Sequence, residues 1–341
     1  MSQVNLISDV INAMEKVLGN GVVYKPADIP NTKIRQYIST QCLPIDMAIG
    51  RRGIPCGRIS MIYGPEASGK TTIAYHILAE AQRMGGVAIL YDTEFSFDPD
   101  RAEIIGINPE ELILVQDINM EEMFTSLEAL IDKVEEGDIP TPVCVVYDSI
   151  TATKTRSEEE KKDKYNNQQP AVQAQVLSRS LRLILNQVVK NNIALIFLSQ
   201  MRDNVAGYAS DVVPGGRAVK FYSSLMMKVS RVGILKNGDE SIGIEGKVKI
   251  EKNRLGPPFR TADYTINFAT GIDKIKGYLD AAEMLGVVKK AGGWYEFAED
   301  YRKFGENKFR QKDFSDLCTP ELIEVLEGLA FHGVDDEILP N

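Results

Sequence analysis

Gly64-Pro65-Glu66-Ala67-Ser68-Gly69-Lys70-Thr71 satisfies the pattern G-x-x-x-x-G-K-[ST] without a mismatch, and its two flanks decide the fold. Upstream, Arg58-Ile59-Ser60-Met61-Ile62-Tyr63 is a short apolar run of strand character; downstream, Thr72 to Gln82 spaces its apolar residues as a helix does. Placed between a strand and a helix, the loop is a phosphate cradle. Gly64 and Gly69 let the backbone turn so that successive N–H groups converge on a phosphate, and the helix adds the positive end of its dipole. Lys70 then reaches the β and γ phosphates of a nucleotide, and Thr71 ligates magnesium. Stripped of its flanks, the same pattern would be a Gly-rich turn that binds nothing.

A chain of 341 residues with 44% hydrophobic content supports one large domain with smaller attachments. No run of about 18 apolar residues occurs, and Met1-Ser2-Gln3-Val4-Asn5 does not lead from a basic region into an apolar core, so a soluble, cytoplasmic protein without a membrane partner is expected. Cys42, Cys56, Cys144 and Cys318 are far apart, and with only His76 and His332 they make no familiar zinc spacing. They read as buried thiols in a reducing compartment. The net charge of −9 is unevenly spread: from Asp313 onward there are eight acidic residues and no Lys or Arg, which leaves −1 for the side chains before it. A local basic surface for a polynucleotide is therefore not excluded.

Ile7 to Leu18 carries a helical apolar stripe and ends at Gly19-Asn20-Gly21; it packs either on its own domain or on a neighbouring subunit. Pro26 to Thr32 reads as a linker. Gly86 to Asp92 is a second buried strand, and Glu94 just beyond its carboxyl end is placed to orient or deprotonate a water attacking a γ-phosphate. Glu121 to Glu136 is helical. Val143 to Ser149 is an apolar strand ending in an acid, with Asp148 holding magnesium through water or Thr71. Residues 153–169 form a polar loop. A helix over Ala171 to Lys190 follows, with Arg182 off its apolar stripe, then a buried strand, Ile193 to Gln200, whose terminal Gln can hydrogen-bond a phosphate or water. Residues 201–217 form a second loop on the same sheet edge, containing Tyr208. Strands are expected at Leu225 to Val232, Lys247 to Arg254 and Tyr264 to Phe268, and a small helical unit with Trp294-Tyr295 and the acidic tail from Gly271 onward.

Together these segments resemble the RecA family of homologous-recombination ATPases, from about Ile7 to about Tyr295. The likeness rests on Ile49 to Thr72 around the phosphate loop, Asp92-Thr93-Glu94 with Phe97-Asp98-Pro99, Gly215 to Tyr222, and Val248 to Phe259. It implies an α/β P-loop core with a mostly parallel central sheet, an N-terminal polymerisation helix and a small C-terminal α/β lobe. The expected domains are 1–34 for subunit docking, 35–271 for the core with its two DNA-binding loops, and 272–341. It also implies a helical filament with ATP between protomers. Gly64, Pro65, Glu66, Ala67, Ser68, Gly69, Lys70, Thr71 and Thr72 would then hold phosphates and magnesium, with Asp98 and Phe268 on the nucleotide. Arg101 stands where relatives stack an aromatic; a guanidinium also stacks. Lys252 and Arg254 match cations that reach the neighbour's γ-phosphate, and Gln200 the nucleotide sensor, coupled through Lys220 and Phe221 at the protomer contact. Arg182, Tyr208, Gly215, Gly216, Arg217 and Lys249 match or adjoin DNA contacts. The first loop lacks the expected glycines between Glu158 and Lys164, so no contact is carried over there.

The leading expectation is a DNA-dependent ATPase that polymerises on single-stranded DNA and pairs it with a homologous duplex, helped by single-strand-binding and mediator proteins. A ring helicase of the same core is the second reading, but neither a primase-binding domain nor a loading motif is visible. A nucleotide-gated scaffold is the third. The acidic tail either restrains duplex capture or serves solubility.

Overall fold

The structure, a computed structural model, describes residues 3–19, 22–25, 34, 36–137, 139, 141–160, 170–201, 216–305 and 307–333. Met1–Ile34 forms one compact unit and Arg35–Asn341 another. The first contains α1 (Gln3–Leu18), which stops at Gly19, where φ of 91° favours a residue without Cβ. The expected linker lies outside the described residues.

In the second unit, β1 (Tyr37–Ile38), α2 (Leu43–Ile49) and β2 (Ile54–Pro55) lead into β3 (Arg58–Gly64), α3 (Lys70–Arg83) and β4 (Val87–Asp92). Then come α4 (Pro99–Ile105), β5 (Leu112–Val115), α5 (Met120–Glu135), β6 (Val143–Asp148), α6 (Arg156–Glu159), α7 (Pro170–Lys190) and β7 (Ile193–Gln200). After residues 202–215, α8 (Gly216–Tyr222) precedes β8 (Leu225–Asn237), β9 (Glu240–Asn253), β10 (Thr261–Asn267) and β11 (Gly271–Ile272). The chain closes with α9 (Lys274–Met284), β12 (Val288–Ala291), β13 (Trp294–Phe297), α10 (Phe314–Leu317) and α11 (Pro320–Ala330).

Nine strands make one sheet in the order β11-β10-β9-β8-β3-β7-β6-β4-β5. Neighbours from β8 to β5 are parallel, and β9, β10 and β11 continue the sheet antiparallel. The inner parallel strands β4, β6 and β7 are apolar along nearly their whole length because both faces are covered. On β7, Ala194, Ile196 and Leu198 enter the core beneath α3, whereas Ile193, Leu195 and Phe197 enter the core beneath α5 and α7. On β6, Cys144 and Val146 take the first side and Val143, Val145 and Tyr147 the second. The parallel direction and register bring the carboxyl ends of β3, β7, β6 and β4 to one sheet edge, with Gly64 opposite Gln200 and Asp92 opposite Asp148.

Two local expectations are corrected. The unit from Gly271 onward is helical at α9, α10 and α11, but Trp294-Tyr295 within it form a hairpin: Ala291 pairs with Trp294 across Gly292-Gly293, and the exposed Trp294 alternates with buried Tyr295 and Phe297. Its apolar side joins Leu279, Phe309, Phe314, Leu322 and Leu326, and Leu43 of α2 enters the same cluster. The expected polar loop after β6 begins with buried residues: Thr153 and Thr155 are inside, and Glu158 caps a short turn, α6. Residues 161–169 lie outside the described residues.

Candidate nucleotide and nucleic-acid site

The phosphate loop leaves β3 at Gly64 and enters α3 at Lys70. A Cβ on Gly64 would sit 1.9 Å from the Val229 carbonyl oxygen of β8, and one on Gly69, at φ +91°, would sit 2.4 Å from Ile266 Cδ1. The loop is thus pressed against β8 and β10. Gly64→Ala is expected to cost about 3 kcal/mol or more, because its closest contact is backbone and cannot turn away; chemical denaturation of the purified variant measures it. Tyr264 of β10 donates its hydroxyl to the Ser68 carbonyl, and Ser68 Oγ donates to the Pro65 carbonyl at 2.8 Å. Helix geometry leaves the N–H groups of Lys70, Thr71 and Thr72 without intrahelical acceptors.

Around this cradle lies a cavity of about 340 Å³ lined by Glu66, Ala67, Gly69, Lys70, Thr71, Thr72, Tyr75, Glu94, Ser96, Asp98, Arg101, Asp148 and Gln200. Thr71 Oγ1 donates to Asp148 Oδ2 at 2.8 Å, and Lys70 Nζ donates to the Pro65 carbonyl at 2.7 Å. Burial pushes the Asp148 carboxyl up to about 6, against the Thr71 hydrogen bond and with help from Glu94 and Asp92. Burial lowers the Lys70 ammonium despite Asp148, Glu94 and Glu66 nearby. Glu94 is held by both strand ends: Ser149 Oγ donates to Oε1 at 2.5 Å, and Gln200 Nε2 reaches Oε1 and Oε2 at 3.0 and 3.1 Å. Asp92, buried one residue before Thr93, accepts from the backbone N–H groups of Ser96 and Phe97 and from Gln116 Nε2. It shapes the turn that presents Glu94.

Asp98 caps α4 by accepting from the Arg101 N–H at 3.2 Å. Arg101 lies across the cavity mouth, donating to the Phe268 carbonyl at 2.7 Å and to Thr72 Oγ1 at 3.4 Å. Arg101 and Phe268 thereby meet, although they are far apart in sequence. Among the described residues no group of three or more His, Cys, Asp or Glu could hold a metal ion by itself. Thr71 and Asp148 fit an ion that arrives with a triphosphate and keeps most of its ligands as phosphate and water oxygens. A larger cleft of about 550 Å³ lies elsewhere, against Asp46, Lys274 and Phe331; there Arg83 pairs with Glu80, Arg52 with Glu327, and Asp46 accepts from the Ser39 and Thr40 hydroxyls.

Lys252 and Arg254 do not line the nucleotide cavity. They grip the carboxyl end of α8: Lys252 Nζ donates to the carbonyls of Lys220 and Phe221 at 2.6 and 3.0 Å, and Arg254 to that of Phe221 at 3.1 Å. Cations suit that negative helix end. Burial, and then Arg254, lower the Lys252 ammonium. The Phe221 ring is 67% exposed and meets Tyr222 edge-on. Arg182 is exposed on α7, and Lys249, on β9, pairs with Glu251 at 2.8 Å. Tyr208 and Gly215 lie outside the described residues, while Gly216 and Arg217 open α8.

Tyr75, Ser96 and Ser149 are site residues that sequence reading did not single out; for Ser149 a hydroxyl directly after the strand-end acid was the available signal. Among the described residues no helix is long and apolar enough to cross a membrane.

Residues 5–273 match the family model described as RecA N-terminal domain. The chain is 36% identical over 310 residues to Protein RecA of Chlorobium limicola, covering 90% of this chain and 85% of that protein. Protein RecA of one Thermus thermophilus strain is 37% identical over 336 residues, covering 98% and 95%. That of Heliobacterium modesticaldum is 35% identical over 315 residues, covering 92% and 88%.

Proposed function

Because the chain belongs to the RecA family, we propose that the cavity at the sheet edge is its ATP site and that the two stretches following β6 and β7 carry DNA. The protein is an ATPase of homologous recombination: it hydrolyses ATP with magnesium in a DNA-dependent way, self-assembles on single-stranded DNA and exchanges strands with a homologous duplex. The observation that carries the site reading is the convergence of Glu94, Asp148 and Gln200, from three strand ends, on one cavity with the phosphate loop.

Gly64, Pro65, Glu66, Ala67, Ser68, Gly69, Lys70, Thr71 and Thr72 hold the triphosphate through backbone N–H groups, the helix dipole and the Lys70 ammonium. Thr71 and Asp148 would hold the magnesium ion, whose charge would offset that of the triphosphate. Glu94 accepts a hydrogen bond from the attacking water and aligns it. Gln200, already on Glu94, reports the γ-phosphate to the second loop. Asp98, Arg101 and Phe268 frame the base. Lys252 and Arg254 supply charge to the neighbouring protomer's nucleotide, and Lys220 and Phe221 carry the signal across the contact. Arg182, Tyr208, Gly215, Gly216, Arg217 and Lys249 face the DNA, with loops at about 153–169 and 201–217.

Residues 1–34 dock on a neighbouring subunit, a reading supported by the amphipathic stripe of α1; residues 35–271 form the core and 272–341 the lobe with the acidic tail. Single-strand-binding and mediator proteins assist loading in the cytoplasm. Phosphate release with and without single-stranded DNA at low salt, beside electron microscopy of filaments, tests the reading. A rate indifferent to DNA would remove its support.

Asp148 makes magnesium binding sensitive to pH. Its folded value of about 6 lies above the ordinary 3.8, so the carboxyl is neutral below about pH 6 and ionised above it. Only the ionised form attracts the cation. The magnesium concentration needed for half-maximal hydrolysis should therefore rise up to about tenfold per pH unit below 6 and flatten above 7. Asp148→Asn should be weak at every pH. Magnesium titrations of hydrolysis from pH 5 to 8 check both.

A further inference from the structure

Building on Glu94 as the residue that aligns water, we propose that Ser149 is its positioning residue and that the hydroxyls of half-buried Thr93 and buried Thr153 tie this pair to the base of the first DNA loop. Ser149 is fully buried, and its hydroxyl and the Gln200 amide pin one carboxylate from two sides. A carboxylate held by two donors has little freedom to swing off the water's approach.

Ser149 is itself held through its backbone. Its N–H donates to Thr93 Oγ1 at 3.1 Å, and its carbonyl accepts from Thr93 Oγ1 at 3.1 Å or Thr153 Oγ1 at 2.9 Å. Thr153 Oγ1 also reaches Thr93 Oγ1 at 3.0 Å and accepts from the Tyr147 hydroxyl. Each threonine has one proton and more than one acceptor within reach, so the ladder has alternative hydrogen-bond arrangements. In a buried setting such networks change by discrete exchange rather than by gradual stretching.

The ladder ends where the first loop starts. From α7, on the far side of that loop, Gln173 Nε2 donates to the Ile150 and Thr153 carbonyls at 2.9 and 3.1 Å. Both ends of the loop are thus fastened to the segment that carries Ser149. At the entrance of the second loop, the Gln200 N–H donates to Thr151 Oγ1 at 3.4 Å. A polynucleotide drawn onto the first loop shifts Thr153 and Gln173, resets the hydroxyls, and turns Ser149 with Glu94 into line. DNA occupancy at the first loop thereby reaches the water without passing through the protomer contact.

Thr153→Val removes the hydroxyl at nearly constant shape, and Thr153→Ser restores it. With saturating single-stranded DNA, Thr153→Val should lower kcat about tenfold, with KM for ATP and the Kd for a labelled oligonucleotide within about twofold of wild type, and Thr153→Ser should recover the rate. Ser149→Ala should lower kcat about a hundredfold at unchanged ATP affinity. Wild-type kcat in Thr153→Val, failure of Thr153→Ser to restore it, or a rate that falls only in step with lost DNA affinity would each overturn the ladder. Wild type is assayed in parallel with and without DNA: if DNA does not stimulate it, the functional reading falls too, whereas a stimulated wild type beside an equally stimulated Thr153→Val sinks the ladder alone.

Discussion

Glu94→Gln should arrest hydrolysis while filaments still form on single-stranded DNA with ATP. The amide keeps the length and shape of the carboxylate but cannot accept a proton from water or draw it toward the phosphorus. Removing a positioned base of this kind costs about 10² to 10⁴ in kcat. The phosphate loop, Thr71 and Asp148 make their contacts independently of Glu94, so ATP affinity and filament assembly should hold. One rearrangement follows from the geometry. Gln200 donates to both carboxylate oxygens, and an amide at position 94 has one oxygen and one donor, so one of those bonds must be lost. The second loop should therefore respond less to ATP. Phosphate release and electron micrographs of the same sample separate these effects. Filaments lost with the activity would mean that Glu94 shapes the protomer contact instead; turnover within tenfold of wild type would remove it from the chemistry.

The second large effect concerns the cations at the end of α8. Lys252→Met keeps the aliphatic stem that covers the sheet edge and removes the charge. Within one chain Lys252 and Arg254 grip the Lys220 and Phe221 carbonyls and do not reach the phosphate loop. Charge supplied from a neighbour is worth about 10³ or more in phosphoryl transfer, so Lys252→Met should lose about that factor in DNA-dependent turnover while a dilute protomer binds ATP normally. Complementation decides the direction of supply. In filaments mixed from Lys252→Met and Glu94→Gln protomers, the first offers a sound water site and the second a sound cation. Random head-to-tail mixing places about a quarter of interfaces in that arrangement, so the mixture of two inactive proteins should regain up to that share of wild-type turnover. No recovery would mean that the cation acts within its own chain, on α8, and not across the contact.

The elements of the proposed site differ in how far they were legible. The phosphate loop and the acids after β4 and β6 could be read because each is a property of one short segment: a strand period, a turn, a residue just past a strand end. The hairpin at Trp294 was misread although Gly292-Gly293 marks its turn, because the short strands on either side carry too few residues to show a period. The edge strand β5 was missed for the same reason, with two half-covered and two exposed residues and no alternation between buried and exposed positions.

From the chain alone came the cradle, the order of the buried strands β3, β4, β6 and β7 with α3, α5 and α7 between them, and the residues at the ends of those strands, since backbone geometry and burial periodicity act over a handful of neighbours. Folding in three dimensions decided the partnerships: Ser149 against Glu94, Arg101 against the Phe268 carbonyl, Tyr264 under Ser68, Lys252 on the end of α8. Each joins segments between 31 and 196 residues apart. Which side chains meet across such distances depends on strand order and register in the sheet, and those are set by the packing of the whole core, which no single stretch encodes.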